Sequence, residues 1–290
     1  MRLGVITPVL TMLPRAHARW EESAGIAEVE RVVVEAERLG YHHVTCSEHV
    51  AIPVDVADTR GARYWDPLST FGYLAAKTRT IRLATHVLVL GYHHPLAIAK
   101  RYGTLDRVCG GRLILGVGVG SLQEEFALLG APFDARGDIA DDAMRALRAS
   151  LSQSEPEYHG PHFDYEGFIV DPPAAQHNMP MWVGGSTYRS LRRAVELGDG
   201  WAPFGMTTAD LAAMLTRAQS TDGWHTREAP FDVVLQNERP LDPLAEPDVV
   251  RERLERFTEI GATMLNCRFV HHSVVHYVEQ LAAMAELAGI

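Results

Sequence analysis

Short apolar runs alternate with longer stretches whose apolar residues recur at three- and four-residue spacing, and this alternation persists along the whole chain. Leu3–Ile6 reads as a first strand, after which Pro8 and Pro14 open a loop to about Gly25. Val29, Val32, Val33, Ala36 and Leu39 fall on one face of a helix over Ala27–Leu39, which Gly40 stops. His43–Cys46 is the second strand. Asp66 followed by Pro67 supplies an N-cap and a first-turn proline for a helix to about Lys77. Ile81–Leu90, almost unbroken in aliphatic and β-branched residues, predicts a third strand buried on both faces. A helix from Pro95 to about Val108 follows, then a fourth strand over Arg112–Val117 and helical sequence at Gln123 and at Arg136–Leu151.

The second half keeps the rhythm after one interruption. Glu157–Val170, with aromatics at Tyr158, Phe163, Tyr165 and Phe168, predicts an inserted hairpin packed beside the main body. Met181–Val183, Gly200–Ala202, Asp232–Gln236 and Thr263–Arg268 are the fifth to eighth strands. Helices to about Leu197, over Thr208–Ser220, from Pro247 to about Ile260 and over Val274–Leu287 follow them in turn. Eight strands, each followed by a helix, predict one closed (β/α)8 TIM barrel over residues 1–290, with an insertion between strands 4 and 5. The open doubly wound sheet is the competing fold, but its GxGxxG signal after the first strand is absent. In a barrel the loops at the C-terminal ends of the strands carry the chemistry. That rule selects 7–9, 46–50, 86–94, 118–125, 184–187, 202–206, 236–239 and 268–272, with 8–25, 51–65 and 154–172 expected to close over the rim.

Composition narrows the partners. At 47% hydrophobic and 22% charged the chain is an ordinary globular mixture, and 290 residues bury a large core without disulfides or metals. A net charge of −10 argues against a nucleic-acid partner. No apolar run is long enough to cross a bilayer, and the N-terminus lacks the apolar region of a signal peptide, so no membrane partner and a cytoplasmic location are expected. Cys46, Cys109 and Cys267 are odd in number and far apart, as in a reduced protein with buried thiols.

Several rim segments hold candidate chemistry. Glu48 and His49 end the second strand, where a histidine can give or take a proton with the carboxylate as its partner. The plain alternative is a structural pair at a loop start. His86, Val87 and Leu88 read as core strand. Gly118, Val119, Gly120 and Ser121 form a turn that lets the backbone approach a ligand. Gly184, Gly185, Ser186 and Thr187 lead into a helix whose free N–H groups suit an anion; an ordinary tight turn is the alternative. The histidine pairs 42–43, 93–94 and 271–272 lack helical ligand spacing, and no metal site is expected. His42 and His43 belong to the opposite end of the barrel. His93, His94, His271 and His272, with Trp65, Phe204 and Met206, are candidates to line a substrate pocket.

An ordered set of these pieces resembles the luciferase-like monooxygenase family, most closely its coenzyme F420-dependent branch. The set comprises Ser47-Glu48-His49, Asp66-Pro67-Leu68, Ala75-Ala76-Lys77-Thr78, Arg82-Leu83-Ala84-Thr85 and His94-Pro95-Leu96. It continues with residues 111–118, Glu124-Glu125-Phe126, residues 181–185 and Asp199-Gly200-Trp201. The resemblance spans residues 1–204 and implies proton transfer by His49 and a non-proline cis peptide at 86–88 behind the cofactor ring. It also implies that the 118–121 turn belongs to the cofactor pocket and that the cofactor phosphate lies at 184–187. It implies hydride transfer between F420 and a small organic substrate. The alternatives are an FMN-dependent monooxygenase fed by a separate flavin reductase, as an F420 reductase would feed the first, and a non-catalytic flavin-binding barrel. A homodimer is a further expectation of the family.

Overall fold

The computed structural model describes residues 1–14 and 16–290. Eight parallel strands close on themselves: β1 (Arg2–Ile6), β2 (His43–Cys46), β3 (Arg82–Thr85), β4 (Leu113–Gly118), β5 (Met181–Gly184), β6 (Gly200–Ala202), β7 (Asp232–Gln236) and β8 (Met264–Cys267). Closure is made by β8 against β1, with Val5 beside Cys267, and by β4 against β5, with Val117 beside Val183. The (β/α)8 barrel expected from the alternation is therefore the observed fold. Among the described residues, nine helices of six residues or more pack around it: α1 (Ile26–Arg38), α2 (Pro67–Lys77), α3 (Pro95–Val108), α4 (Gln123–Leu128), α5 (Arg136–Ser150), α6 (Tyr188–Leu197), α7 (Thr208–Gln219), α8 (Pro247–Glu259) and α9 (Val274–Ala288). The Asp66 carboxylate accepts from the Ser69 amide at 2.8 Å, so α2 starts where its cap and proline dictate.

Strand alternation sorts the side chains into two cores. Val5, Val44, Leu83, Leu115, Val183 and Leu265 point outward into the helix layer. Ala84, Ile114, Trp182, Ala202, Val234 and Met264 fill the barrel interior. His43 also faces inward, fully buried, and its Nε2–H donates to Asn266 Oδ1 at 2.6 Å. Gly4 makes room for it, because a Cβ there would lie 2.2 Å from the imidazole. Burial, with His42 nearby, pushes the His43 pKa well below its ordinary value, so the ring is a neutral structural group below the site.

Two sequence expectations change. The third strand does not run from Ile81 to Leu90. It stops at Thr85, a cis peptide joins His86 to Val87, and Leu88–Val89 resumes pairing with Val117 and Gly118 of β4. The bulge fits because β4 offers glycines opposite it: a Cβ on Gly116 would lie 1.9 Å from the Thr85 carbonyl oxygen. An apolar run carries no sign of such a break. The insertion does form its hairpin, with Tyr158 opposite Tyr165, but it does not close over the rim. Tyr158 donates to Asp142 of α5 at 2.5 Å and the Tyr165 hydroxyl meets Ser150 at 2.7 Å, which holds the hairpin on the helix layer. Among the described residues no helix is long and apolar enough to cross a membrane, and the three cysteines are buried and free.

Candidate active site

A cavity of about 730 Å³ opens at the C-terminal mouth of the barrel, and each of the eight loops selected from the sequence contributes to it, from Thr7 after β1 to His271 after β8. Two further segments cover it. Thr11–Met12 pairs antiparallel with Arg63–Tyr64, bringing Thr11, Leu13 and Tyr64 over the mouth. Arg60 crosses to donate to Ser121 Oγ at 2.9 Å.

The Ser47-Glu48-His49 segment leaves β2 extended, so consecutive side chains diverge. Ser47 Oγ donates to the His86 carbonyl at 2.8 Å. Glu48, 8% exposed, accepts from the Val89 amide and from His93 Nε2–H, both at 2.7 Å. These two residues brace the bulge between β3 and α3. His49 turns the other way, and its Nδ1–H donates to Glu125 Oε2 at 2.7 Å. The expected Glu48–His49 partnership is thus replaced by His49–Glu125 and Glu48–His93. Because a carboxylate only accepts, it fixes the neutral tautomer with a lone pair on Nε2 of the cavity-lining ring.

Glu125 escaped the sequence reading except as part of a matched motif. Its carboxylate, on α4 and 1% exposed, also accepts from the amides of Val50 at 2.6 Å and Ala51 at 3.2 Å and from the Tyr92 hydroxyl at 2.7 Å. Burial alone would raise its pKa, but the hydrogen bonds from Tyr92, His49 and Ala51 outweigh it and hold the carboxyl below its ordinary value.

The floor is Val87. A Cβ on Gly118 would lie 2.6 Å from Val87 Cγ2, and one on Gly184 would lie 2.6 Å from Val87 Cγ1. The two glycines make room for this side chain, and both also line the cavity. Gly184→Ala is expected to destabilise the fold by about 1–3 kcal/mol through overpacking, read as a loss of thermal stability. In a double-mutant cycle Val87→Ala should offset about 1 kcal/mol of that loss; strict additivity would mean the two positions do not press on each other. Leu88 is fully buried away from the cavity, and Val89 lines the wall in its place, because the bulge shifts the alternation by one residue. His86 also lines the cavity, with burial pushing its pKa to about 4 and no partner for Nε2 among the described residues.

One end of the cavity suits an anion. Gly118, Val119, Gly120 and Ser121 line it from β4, and Gly184, Gly185, Ser186 and Thr187 lead from β5 into α6. Gly185 has φ +117°, a conformation that side chains disfavour. Thr187 Oγ1 caps α6 by accepting from the Ser190 amide at 3.2 Å, leaving the first-turn amides of Tyr188 and Arg189 without intrahelical partners. Arg136, Arg189 and Arg193 also reach this end. Arg189 and Arg193 are ion-paired with Asp138 and Asp141, whereas Arg136 is held by the carbonyls of Gly120 at 3.3 Å and Phe133 at 2.9 Å.

Of the remaining pocket candidates, Phe204 and His271 line the cavity. His271 Nδ1 accepts from Trp20 Nε1–H at 2.9 Å, and burial pushes its pKa to about 4. His93 serves Glu48, His94 caps α3 by accepting from the Leu96 amide at 3.2 Å, and His272 stacks on His276. Trp65 and Met206 pack against the helix-layer core and do not line this cavity.

The family profile described as luciferase-like monooxygenase matches residues 1–237. An uncharacterised protein of Mycobacterium tuberculosis is 28% identical over 266 residues, covering 86% of this chain and 90% of its own. Among solved structures, the monooxygenase RslO1 of Streptomyces bottropensis superposes with a TM-score of 0.80 at 17% identity, covering 99% of this chain and 98% of its own. An F420-dependent secondary alcohol dehydrogenase in complex with an F420-acetone adduct gives 0.76 at 13% identity, covering 99% and 97%. The oxygenating constituent of 3,6-diketocamphane monooxygenase of Pseudomonas putida, in complex with FMN, gives 0.74 at 15% identity, again covering 99% and 97%. On the profile match and the barrel together, this chain belongs to the luciferase-like monooxygenase family.

Proposed function

We propose that this protein is an F420-dependent oxidoreductase that transfers a hydride between the deazaflavin and a small organic substrate. One observation carries the reading: one cavity joins an apolar floor at Val87, a histidine with a fixed tautomer at its wall and an anion cradle between β4 and β5. These residues fit a planar ring on a phosphorylated chain. Reduced deazaflavin supplies a hydride when bound, and the oxidised form accepts one. Val87 supports the ring. The turn at 184–187 and Arg136 hold the phosphate through backbone amides and one guanidinium. His49 Nε2 takes or gives the proton that accompanies hydride transfer, and Glu125 keeps Nδ1 protonated so that Nε2 stays available. Ser47 and Glu48 are positioning residues, since both act through the bulge they brace.

F420 stands ahead of FMN on the resemblance of the ordered motifs to the F420-dependent branch, supported by the F420-dependent barrels of similar fold; charge does not decide it, since Arg189 and Arg193 are already paired with Asp138 and Asp141. FMN is the second reading, supported by the family profile and by the FMN-bound barrel of similar fold. Titration of the purified protein with each cofactor separates them. F420 is expected to bind at least about tenfold more tightly. Tight FMN binding with no F420 binding, together with oxygen-dependent turnover, would reverse the assignment.

A further inference from the structure

The half of the cavity opposite the cradle has a cation that the proposed reaction leaves unexplained. Arg268 follows β8 directly, and β8 alternates Met264 and Asn266 into the barrel, so the same alternation turns Arg268 inward at the mouth. Gln236, at the end of β7, pairs in register with Asn266 and so lies one inward position below Arg268. Val5 pairs with Cys267 on the other side, which sets Ile6 beside Arg268. All three side chains line the cavity.

The backbone of Arg268 is well held: its amide donates to Asn237 Oδ1 at 3.0 Å, and its carbonyl accepts from Asn237 Nδ2 at 3.2 Å and from the Leu241 amide at 2.8 Å. Its side chain is not. Among the described residues Nε is buried without a hydrogen-bond partner and the guanidinium has no ion pair. Glu21, the carboxylate whose charge reaches Arg268, is committed elsewhere. Its oxygens accept from the Val9 and Ala18 amides, each at 2.7 Å, and face His271 at 3.6 Å. Among the described residues the Gln236 side chain likewise makes no hydrogen bond. Burying an unmatched guanidinium opposes folding. The groups that would ordinarily match it are absent, and its free face opens on the cavity.

We infer that Arg268, assisted by the Gln236 amide, is a substrate-binding subsite for a carboxylate, and that the natural substrate is a small organic acid whose reacting carbon is held over the Val87 floor. A planar guanidinium fork matches a carboxylate through two parallel hydrogen bonds. The residual field of Glu21 favours a monoanion over a dianionic phosphate. The proposal rests on the oxidoreductase reading of this cavity, because only that reading makes the β7–β8 side the substrate side.

Isothermal titration of the whole protein with monocarboxylates from acetate to benzoate, each beside its neutral primary amide, tests it without turnover. The best-binding acid is expected to exceed its amide by at least about tenfold. Arg268→Gln should erase that preference, Arg268→Lys should restore part of it, and Gln236→Leu should weaken the acid by several-fold only. F420 and FMN affinities, measured on the same variants, should stay within about threefold of wild type. Acids that bind no better than amides, absence of binding by every acid, or a preference that survives Arg268→Gln each overturn the subsite. Phenyl phosphate binding more tightly than benzoate overturns the carboxylate assignment. Selective acid binding by a protein that takes up neither cofactor overturns the redox reading and leaves the subsite standing.

Discussion

His49→Ala is expected to lower turnover by about a hundredfold or more, with Tm and cofactor affinity close to wild type. The ring is part-exposed at the cavity wall, and its one hydrogen bond holds it in place. Removing it therefore deletes the proton-transfer group without opening the core. His49→Asn keeps a donor toward Glu125 and supplies no basic nitrogen. It should be as slow as the alanine variant, whereas a purely structural role would let it recover. Steady-state kinetics across pH on the substrate turned over by the wild type make the distinction. A fall in kcat with KM close to wild type is the expected signature. Full turnover in either variant removes His49 from the reaction.

Glu125→Ala should be worse than His49→Ala in one respect: it should cost stability as well as activity. The carboxylate satisfies the Val50 and Ala51 amides, the Tyr92 hydroxyl and His49 Nδ1–H. Each donor left buried without a partner costs on the order of 1–3 kcal/mol, although the 49–51 loop can relax toward water and recover part of it. A net loss of about 3 kcal/mol predicts a Tm lower by about 6–12 °C for a domain of this size. Glu125→Gln keeps one acceptor and should fall between. Acid should reproduce the effect in the wild type. The carboxyl titrates below its unfolded value, so its stabilisation is complete above the ordinary glutamate range and is lost as pH falls through the depressed folded value. Unfolding curves between neutral pH and about pH 3 should lose their difference between wild type and Glu125→Gln at the acid end.

How far the sequence anticipated this site depends on the kind of signal involved. Strand–helix alternation is a local property, and it located β2, β6 and β7 to the residue, since Val44, Trp201 and Val234 sit in runs bounded by glycine or polar residues. It also chose the face on which the cavity opens, because that follows from topology alone. The bulge after Thr85 was illegible to periodicity because its cause lies on another strand, in the glycines of β4; only the family resemblance carried it. The His49–Glu125 pair joins residues 76 positions apart, and nothing in adjacent residues distinguishes that partner from Glu48. Arg268 and Gln236 were within the selected loops but not singled out. Their significance is the absence of a partner, which only packing reveals. The resemblance to the family succeeded where periodicity could not, because an ordered set of motifs records tertiary neighbours that no single motif encodes.

The contact of Val87 with Gly118 and Gly184 makes the cavity floor a shared volume spread over three strands. No member of this trio can grow unless another shrinks, so the three positions behave as one quantity under substitution. Exchanging bulk among them, for instance alanine at 87 with alanine at 184, tilts or lowers the floor while every hydrogen bond of the site stays in place. A library confined to these positions would therefore scan the height at which a ring sits above the barrel, and hence its reach toward the opposite wall, independently of the groups that move the proton.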